Sequence, residues 1–439
     1  MSSLLDTATN IVRTLQHAGF EAYFAGGAVR DALRGTSPKD YDIATSATPD
    51  QVLSLYPDAN TIGRHFGVIL VKADSYAFEI ATFRTDGAYQ DGRRPDSVTF
   101  ATAEEDAQRR DFTINGLFFD PLSDSIIDFV QGQDDLKNGL IRAIGIPTER
   151  FNEDALRLLR AIRFAVRTGF EIEPVTAQAL ASDSPLLAQI SVERIQEEFS
   201  KIITHPDRRR GLQLLVDTGL MKHIIPEVYD LIGCEQPPQW HPEGDVFTHT
   251  AIALELLPPD APLALCLATL LHDIGKPPTY SWDEADQRIR FNGHDKVGAE
   301  MAKAILERLR YPNALIEDVV AMVDNHMQFM NVQKMRTAKV KRFLARPTIE
   351  LEMELHRVDC ASSNGFTENF DFLRAKQDEF ANEPIIPKPL ITGRDLIDLG
   401  LKPSPQFRKI LEQIETEQLE GRLQTKEDAI EYAQRTFLS

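Results

Sequence analysis

Cysteine is scarce in this chain: Cys234, Cys266 and Cys360 are the only three in 439 residues. They are scattered, so neither a disulfide framework nor a CxxC metal pair can be drawn, and a reducing compartment is expected. No run of about 18 apolar residues is present to span a bilayer. The N-terminus also lacks the basic region and apolar core of a secretory leader. A cytoplasmic chain with no membrane partner follows as the expectation. Internal repeats and low-complexity tracts are missing too. Positive charge is in deficit, with 48 Lys and Arg against 67 Asp and Glu and a net charge of −19. The total weighs against a nucleic-acid partner, because phosphate binding draws on Lys and Arg. The distribution weighs differently. Residues 334–346 (KMRTAKVKRFLAR) hold six basic and no acidic side chains, and Arg208, Arg209 and Arg210 form a second cluster. Each is either a solvated helix face or an RNA contact.

Hydrophobic residues make up 42 % of the chain and charged ones 26 %, as in a folded protein. The length suits roughly two to four domains. Leu4, Ala8, Ile11, Leu15 and Ala18 recur at helical spacing, predicting an amphipathic helix over residues 1–20. A strand over 22–25 breaks at Gly26-Gly27, a short helix covers 29–33, and 41–44 reads as a second strand. Val68–Val71 and Ala77–Thr82 alternate and are rich in β-branched residues, which suits a small mixed sheet. From about Asp154 the pattern is helical, interrupted at prolines. The fold class expected is α+β: a mixed-sheet head over 1–145, then an all-helical neck over 146–215, body over 216–383 and tail over 384–439.

Chemistry enters at the glycines. Gly26-Gly27, between a strand and a helix, lets backbone approach a phosphate closely at a helix N-terminus, or simply makes a tight turn. Asp40 and Asp42 follow in Lys39-Asp40-Tyr41-Asp42-Ile43. On a strand, residues i and i+2 leave the same face, so the two carboxylates repel one another, and a hard divalent cation relieves that repulsion. Mg²⁺ held by a few carboxylates and substrate phosphates is the usual arrangement for phosphoryl transfer.

The run Ala25-Gly-Gly-Ala-Val-Arg-Asp31 followed by Asp40-Tyr-Asp42 resembles the first motif of the class II tRNA nucleotidyltransferase and bacterial poly(A) polymerase family, a branch of the polymerase β-like nucleotidyltransferases. Further motifs follow in that family's order. Arg109 to Asn115 (RRDFTIN) resembles the segment that contacts the nucleotide ribose. Residues 128–142 resemble the connecting motif, and Glu153-Asp154-Ala-Leu-Arg157 the EDxxR motif, with Arg160 and Arg163 extending a basic helix. The resemblance covers about residues 20–215. It implies Asp40 and Asp42 as Mg²⁺ ligands and catalytic carboxylates, Gly26, Gly27 and Arg30 near the triphosphate, Arg110, Asp111 and Asn115 at the sugar, and Asp154 and Arg157 at the base.

Physical chemistry supports the last pair. Asp154 and Arg157 at i and i+3 on a predicted helix share a face, and an acceptor beside a planar donor fork can meet a base's Watson–Crick edge. The alternative is an intrahelical salt bridge. Residues 83–95, with their glycines and charges, read as a mobile loop; the resemblance implies that such a loop takes part in switching from C to A addition.

A second constellation lies downstream. His249 sits in a helix over 246–257, His272-Asp273 ends an apolar helix over 263–274, and Asp359 follows in helical context. The order H…HD…D resembles the HD phosphohydrolase superfamily and implies a divalent metal site, which imidazole and carboxylate donors suit. His294 and His326 either add a second metal or belong to core or surface. The tail segment 390–403 reads as a short helix, a glycine turn and another helix, and resembles one thought to hold the tRNA body; Thr392 either caps that helix or lies beside RNA.

The resemblance therefore implies template-independent addition of C and/or A nucleotides from CTP and ATP to the 3′ end of tRNA, with CCA, CC and a terminal A all open as products. Poly(A) addition by the same head, or an HD phosphohydrolase whose head only binds nucleotide or RNA, are the alternatives. Oligomeric state stays open.

Overall fold

A hydroxyl before an acidic N3 residue starts the first helix: Ser3 accepts from the Asp6 N–H and the Asp6 carboxylate accepts from the Ser3 N–H, which satisfies donors a helix end leaves bare. The helix Leu4–His17 then lays Ala8, Ile11, Val12 and Leu15 against the sheet. The structure, a computed structural model, describes residues 3–61, 63–86, 98–382 and 384–438. Much of the loop expected over 83–95 falls on residues 87–95, which lie outside the described residues.

The head sheet is mixed, as expected. Strands β1 (Ala22–Ala25), β2 (Asp42–Thr45), β3 (Val68–Ala73) and β4 (Tyr76–Thr82) are followed by a separate ribbon, β5 (Arg84–Asp86) with β6 (Val98–Phe100), and by the hairpin β7 (Leu117–Asp120) and β8 (Ser125–Asp128). Six of them order as β3-β4-β2-β1-β7-β8. The β2–β4 pair is parallel, and β1 runs antiparallel to β2 and β7. Alternation gives the sheet two apolar faces. Phe24, Ile43, Ile69, Ile80 and Leu117 pack with the first helix, while Ala25, Ala44 and Phe118 turn to the other side with Phe83, Ala103 and Ala107.

The chain divides into two compact units, residues 1–229 with 308–310, and residues 230–307 with 311–439. In the first, the helix Leu156–Thr168 is buried along most of its length and packs on Val192–Ile203 and Arg208–Asp217. The helical reading after Asp154 needs amendment at two places. Glu171–Ile172 (β10) pairs with Leu140–Ile141 (β9), and Ser281–Asp283 (β11) forms a hairpin with Arg288–Arg290 (β12). These strands have two or three residues, too short for alternation to register. Pro174 starts a helix rather than merely ending one, because Pro at the first position lacks only an N–H that has no partner there anyway.

In the second unit the helix Leu263–Leu271 is apolar on every side and buried accordingly. A core of Phe329, Val340, Phe343, Leu344, Met353 and Leu373 lies beyond it, and Ile391, Leu396, Ile410, Ile414 and Ala429 make a separate small core for the tail helices. The Thr392 N–H and hydroxyl both donate to Asp395, a capping role.

The basic clusters are packed in part and exposed in part. Arg208 is fully buried, and Arg210 donates to the carbonyls of Ala165 and Phe170. In the helix Thr337–Leu344, Val340, Phe343 and Leu344 point inward. Arg342 binds Glu415, Arg346 binds Glu352, and Lys334, Arg336 and Lys339 are exposed.

Candidate active site and metal centre

The turn at Gly26 comes first because it shapes the floor of a cleft. Gly26 has φ +63, which favours glycine, and a Cβ there would stand 3.0 Å from Nη1 of Arg110. Its N–H donates to the Leu117 carbonyl, tying the turn to β7. The cleft of about 570 Å³ is lined by Gly26, Gly27, Arg30, Asp31, Asp40, Asp42, Arg84, Arg109, Arg110, Asp111, Asn115, Asp154, Leu156, Arg157, Arg160, Arg163, Phe164, Arg167 and Arg194. All twelve residues expected in the head site meet there. Nine arginines and five aspartates in this lining concentrate cationic side chains in a chain that is acidic overall.

Asp40 lies just before β2 and Asp42 is its first residue, both open to the cleft. Burial in the cleft, the charge of Asp40 and that of Glu79 push the Asp42 carboxyl up to about 6, against the pull of Arg110. A carboxylate destabilised by a neighbouring carboxylate, yet reachable from the cleft, fits a hard cation held between the two.

Asp111 is the opposite case. Burial alone would raise it, but the Arg160 charge, hydrogen bonds from Asn115 and Arg160, and the Arg157 charge hold it at about 2. Arg160 Nε donates to Oδ2 at 2.8 Å and Asn115 Nδ2 to Oδ1 at 2.9 Å. Asn115 in turn accepts from Arg30 at 2.6 Å, and Arg30 also binds Asp31. Arg30, Arg160 and Arg163 surround the Phe164 ring, with guanidinium carbons 5.2, 5.3 and 4.8 Å from its centroid. Arg163 pairs with buried Glu198.

Asp154 and Arg157 do not share a helix. Asp154 caps the helix Pro147–Glu153 in an extended conformation, and Arg157 is the second residue of the helix Leu156–Thr168. The alternative of a salt bridge between them gives way to other partners. Arg194 holds Asp154 at 3.0 and 3.2 Å, and Arg157 donates to Glu153, to the Arg150 carbonyl and to the Arg109 carbonyl. The Glu-Asp pair ends one helix before the next begins, a break that i, i+3 spacing cannot reveal. Arg194 came unannounced by the sequence; it lies 40 residues beyond its partner.

The second constellation gathers within the second unit. Nε2 of His249 lies 3.3 Å from Nε2 of His272 and 3.1 Å from Asp359 Oδ1. His272 Nε2 is 3.2 Å from Asp273 Oδ2. His294 and His326 join it: their Nε2 atoms are 3.1 Å apart, and that of His294 is 3.4 Å from Asp273 Oδ1. All six residues named from the sequence thus converge, with Asp273 common to two groups able to hold a metal ion.

The donor chemistry fits cations. His272, His294 and His326 each place Nδ1 on a main-chain carbonyl, of Thr269, Phe291 and Val323. A neutral imidazole that donates from Nδ1 presents a lone pair at Nε2. Those lone pairs face one another, and a divalent ion is their natural partner. Burial would lower His249, yet hydrogen bonds to Asp359 and Glu243 and the charges of Asp359 and Asp273 raise it to about 9. His326 is pushed down to about 4 by burial, His272 and His294. Lys276, buried, reaches Asp273 Oδ2 at 2.7 Å and Gln236 at 2.6 Å.

Comparison with known proteins runs along the same segments. Residues 22–142 match the family "Poly A polymerase head domain", residues 169–231 "Probable RNA and SrmB- binding site of polymerase A", and residues 245–361 "HD domain". The chain thus carries, in this order, segments similar to a poly(A) polymerase head, its RNA-binding region and an HD domain. Among curated relatives, the CCA-adding enzyme of Geobacillus kaustophilus (strain HTA426) is 45 % identical over 225 residues, 51 % of this chain and 55 % of the relative. That of Enterococcus faecalis (strain ATCC 700802 / V583) is 47 % identical over 212 residues, 48 % and 52 %. The chain thus spans about half the length of the curated relatives it matches. A solved structure of the Bacillus stearothermophilus CCA-adding enzyme in complex with CTP is similar over 99 % of both chains, with a TM-score of 0.75 and 26 % identity. The Thermotoga maritima CCA-adding enzyme complexed with tRNA shares the fold, with a TM-score of 0.63 and 20 % identity over 99 % of this chain and 95 % of that one.

Two kinds of site residue were missed by the sequence reading. Arg194 is one. The others, His241 and Glu243, stand just ahead of His249 in residues 241–249 (HPEGDVFTH), where a third possible metal-holding group lies. The signal was an acidic residue six positions before a histidine, which has no period to give it away.

Proposed function

We propose that the chain adds C and A nucleotides, from CTP and ATP, to the 3′ end of tRNA without a template. The observation that carries this reading is the convergence of Asp40, Asp42, Gly26, Asp111, Asp154 and Arg157 on one arginine-lined cleft. The relatives' shared name, CCA-adding enzyme, and the CTP bound in the similar solved structure support it. The head of residues 1–145 is assigned the chemistry and the neck of 146–215 the reading of the base. The body of 216–383 and tail of 384–439 are assigned the second site and contacts to RNA.

Asp40 and Asp42 would hold Mg²⁺, which when bound lowers the pKa of the attacking 3′-hydroxyl and steadies the triphosphate. Arginines along the cleft offset phosphate charge. Asp111, kept ionised by Arg160 and Asn115, accepts from a ribose hydroxyl. Arg157 uses three of its donors within the protein, which fixes the guanidinium plane and leaves two of its five N–H groups for a base. Asp154, held by Arg194, supplies the acceptor beside it.

The test is direct. Purified protein is incubated with tRNA transcripts ending before CCA, after C and after CC, with each nucleotide supplied singly and together, and the products are sequenced. Stepwise C, C and A additions are expected; long adenosine tails on any RNA would favour the poly(A) alternative. Asp42→Ala should reduce incorporation to background, and retained incorporation would falsify the assignment of the carboxylates.

A second activity is proposed for the HD cluster, where His249, His272, Asp273, Asp359, His294 and His326 would hold divalent cations and hydrolyse a phosphate ester. Converging Nε2 lone pairs motivate it. A cytoplasmic location is proposed as well. No helix among the described residues is long and apolar enough to cross a membrane, and no disulfide forms among them; recovery in a membrane or secreted fraction would refute it.

A further inference from the structure

Four histidines point Nε2 into the HD cluster, and three of them are oriented in one way. His272, His294 and His326 each set Nδ1 against the carbonyl three residues earlier. They can do so because they stand at helix ends. His272 and His326 are C-caps, beside carbonyls of a helix's last turn, where main-chain donors run out, and His294 opens its helix beside the Phe291 carbonyl that precedes it. His249 has no such option. It lies inside the helix Val246–Glu255, and the carbonyl three residues before it, that of Val246, already accepts from the Thr250 hydroxyl within that helix. A histidine in mid-helix must find a side-chain acceptor.

Glu243 supplies one. Its Oε1 lies 2.7 Å from His249 Nδ1 and 2.9 Å from His241 Nδ1. Glu243 Oε2 is buried and meets no hydrogen-bond partner, so the carboxylate's side-chain contacts run through the two imidazoles, beside its own main-chain N–H. Ser362 Oγ approaches His249 Nδ1 at 3.2 Å, but its hydrogen is directed to the Asp359 carbonyl, so it too can only accept. Both neighbours therefore demand N–H at Nδ1, which leaves the lone pair at Nε2 facing Asp359 and His272.

We propose that Glu243 is the positioning residue of the HD metal cluster: it fixes the ring plane and tautomer of His249 and, through its charge, raises the donor strength of Nε2, while His241 anchors the carboxylate from its other side. This rests on the reading of the HD cluster as a metal site. A carboxylate behind an imidazole ligand typically contributes 10-fold to 100-fold in metal affinity.

The test uses the full chain with Asp40→Ala and Asp42→Ala as background, so that the head carboxylates do not compete for the added ion. Mn²⁺ binding is titrated by calorimetry and Co²⁺ binding followed by its visible absorption in this background, and in the same background with Glu243→Gln, Glu243→Ala or Asp273→Asn. Melting midpoints without metal report whether each variant folds. The proposal expects affinity to fall in the order Glu243, Gln, Ala, by roughly tenfold or more for Ala, with an altered Co²⁺ spectrum and a metal-free melting midpoint close to the parent's for Gln. Unchanged affinity and spectrum in both Glu243 variants, with binding lost in Asp273→Asn, would overturn the role of Glu243 while leaving the metal site standing. No binding by the parent chain would overturn both.

Discussion

Gly26 carries two constraints that separate experiments can resolve. Its φ of +63 penalises any side chain, and a methyl group there would sit 3.0 Å from Nη1 of Arg110. Gly26→Ala is expected to lower stability by about 1–2 kcal/mol through backbone strain, read by urea unfolding, and to reduce nucleotide incorporation further because Arg110 must move. Wild-type stability and rate together would remove the turn from the site. Asp42 offers a test by pH. Its carboxyl is raised to about 6, first by burial and then by Asp40, so below that pH it is protonated and cannot bind a cation. Mg²⁺ affinity of the head should therefore climb between about pH 5 and 7 and level off above. Asp40→Asn removes the repelling charge and should move the midpoint downward; an affinity flat from pH 5 to 8 would count against Asp42 as a ligand.

Between elements, the approach of two backbones decides whether the HD ligands meet. Gly275 follows the HD pair with an ordinary φ, yet a Cβ on it would stand 2.2 Å from the His294 carbonyl and 2.6 Å from the Gly298 nitrogen. The turn carrying Asp273 thus rests directly on the helix carrying His294. Backbone cannot yield as a flexible side chain would, so Gly275→Ala should cost about 3 kcal/mol and separate Asp273 from His294. Loss of metal binding together with a lowered melting temperature would report it; a normal melting curve with full metal binding would show that the turn can slide. The same elements show what was legible beforehand. Strands β3 and β4 and the first helix announce themselves by alternation and by 3.6-residue spacing, because each exposes one side while the other packs in the core. The Asp40/Asp42 pair and His272-Asp273 are local and readable for the same reason. Asp154 and Arg157 were placed on one helix because spacing says nothing of the break between Glu153 and Leu156, and Arg194 and Glu243 matter only through contacts made across the fold. Arg208 to Arg210 were read as an RNA contact or a solvated face because charge is visible in sequence and burial is not.

At the scale of the whole chain, two sites differ in the atoms they offer. The head presents carboxylate oxygens at Asp40 and Asp42, hard donors that suit Mg²⁺. The HD cluster presents four imidazole nitrogens with Asp273 and Asp359, a donor set that favours transition metals such as Mn²⁺, Co²⁺ or Ni²⁺. The net charge of −19 does not distinguish the two sites, since each works through its own local field. If the sites are chemically separate, stripping the protein with a chelator and restoring Mg²⁺ alone should return nucleotide addition to a tRNA acceptor but little hydrolysis of a phosphodiester such as bis(p-nitrophenyl) phosphate. Adding Mn²⁺ or Ni²⁺ should then bring hydrolysis back. Asp273→Asn removes the carboxylate common to two of the HD metal groups, so it is expected to abolish hydrolysis with every metal, while addition stays within about twofold of the parent, as for a residue that does not line the nucleotide cleft. Asp42→Ala should do the reverse. Parallel loss of both activities in either variant, with the protein still folded, would mean that one centre serves both reactions and that the division by donor type is wrong.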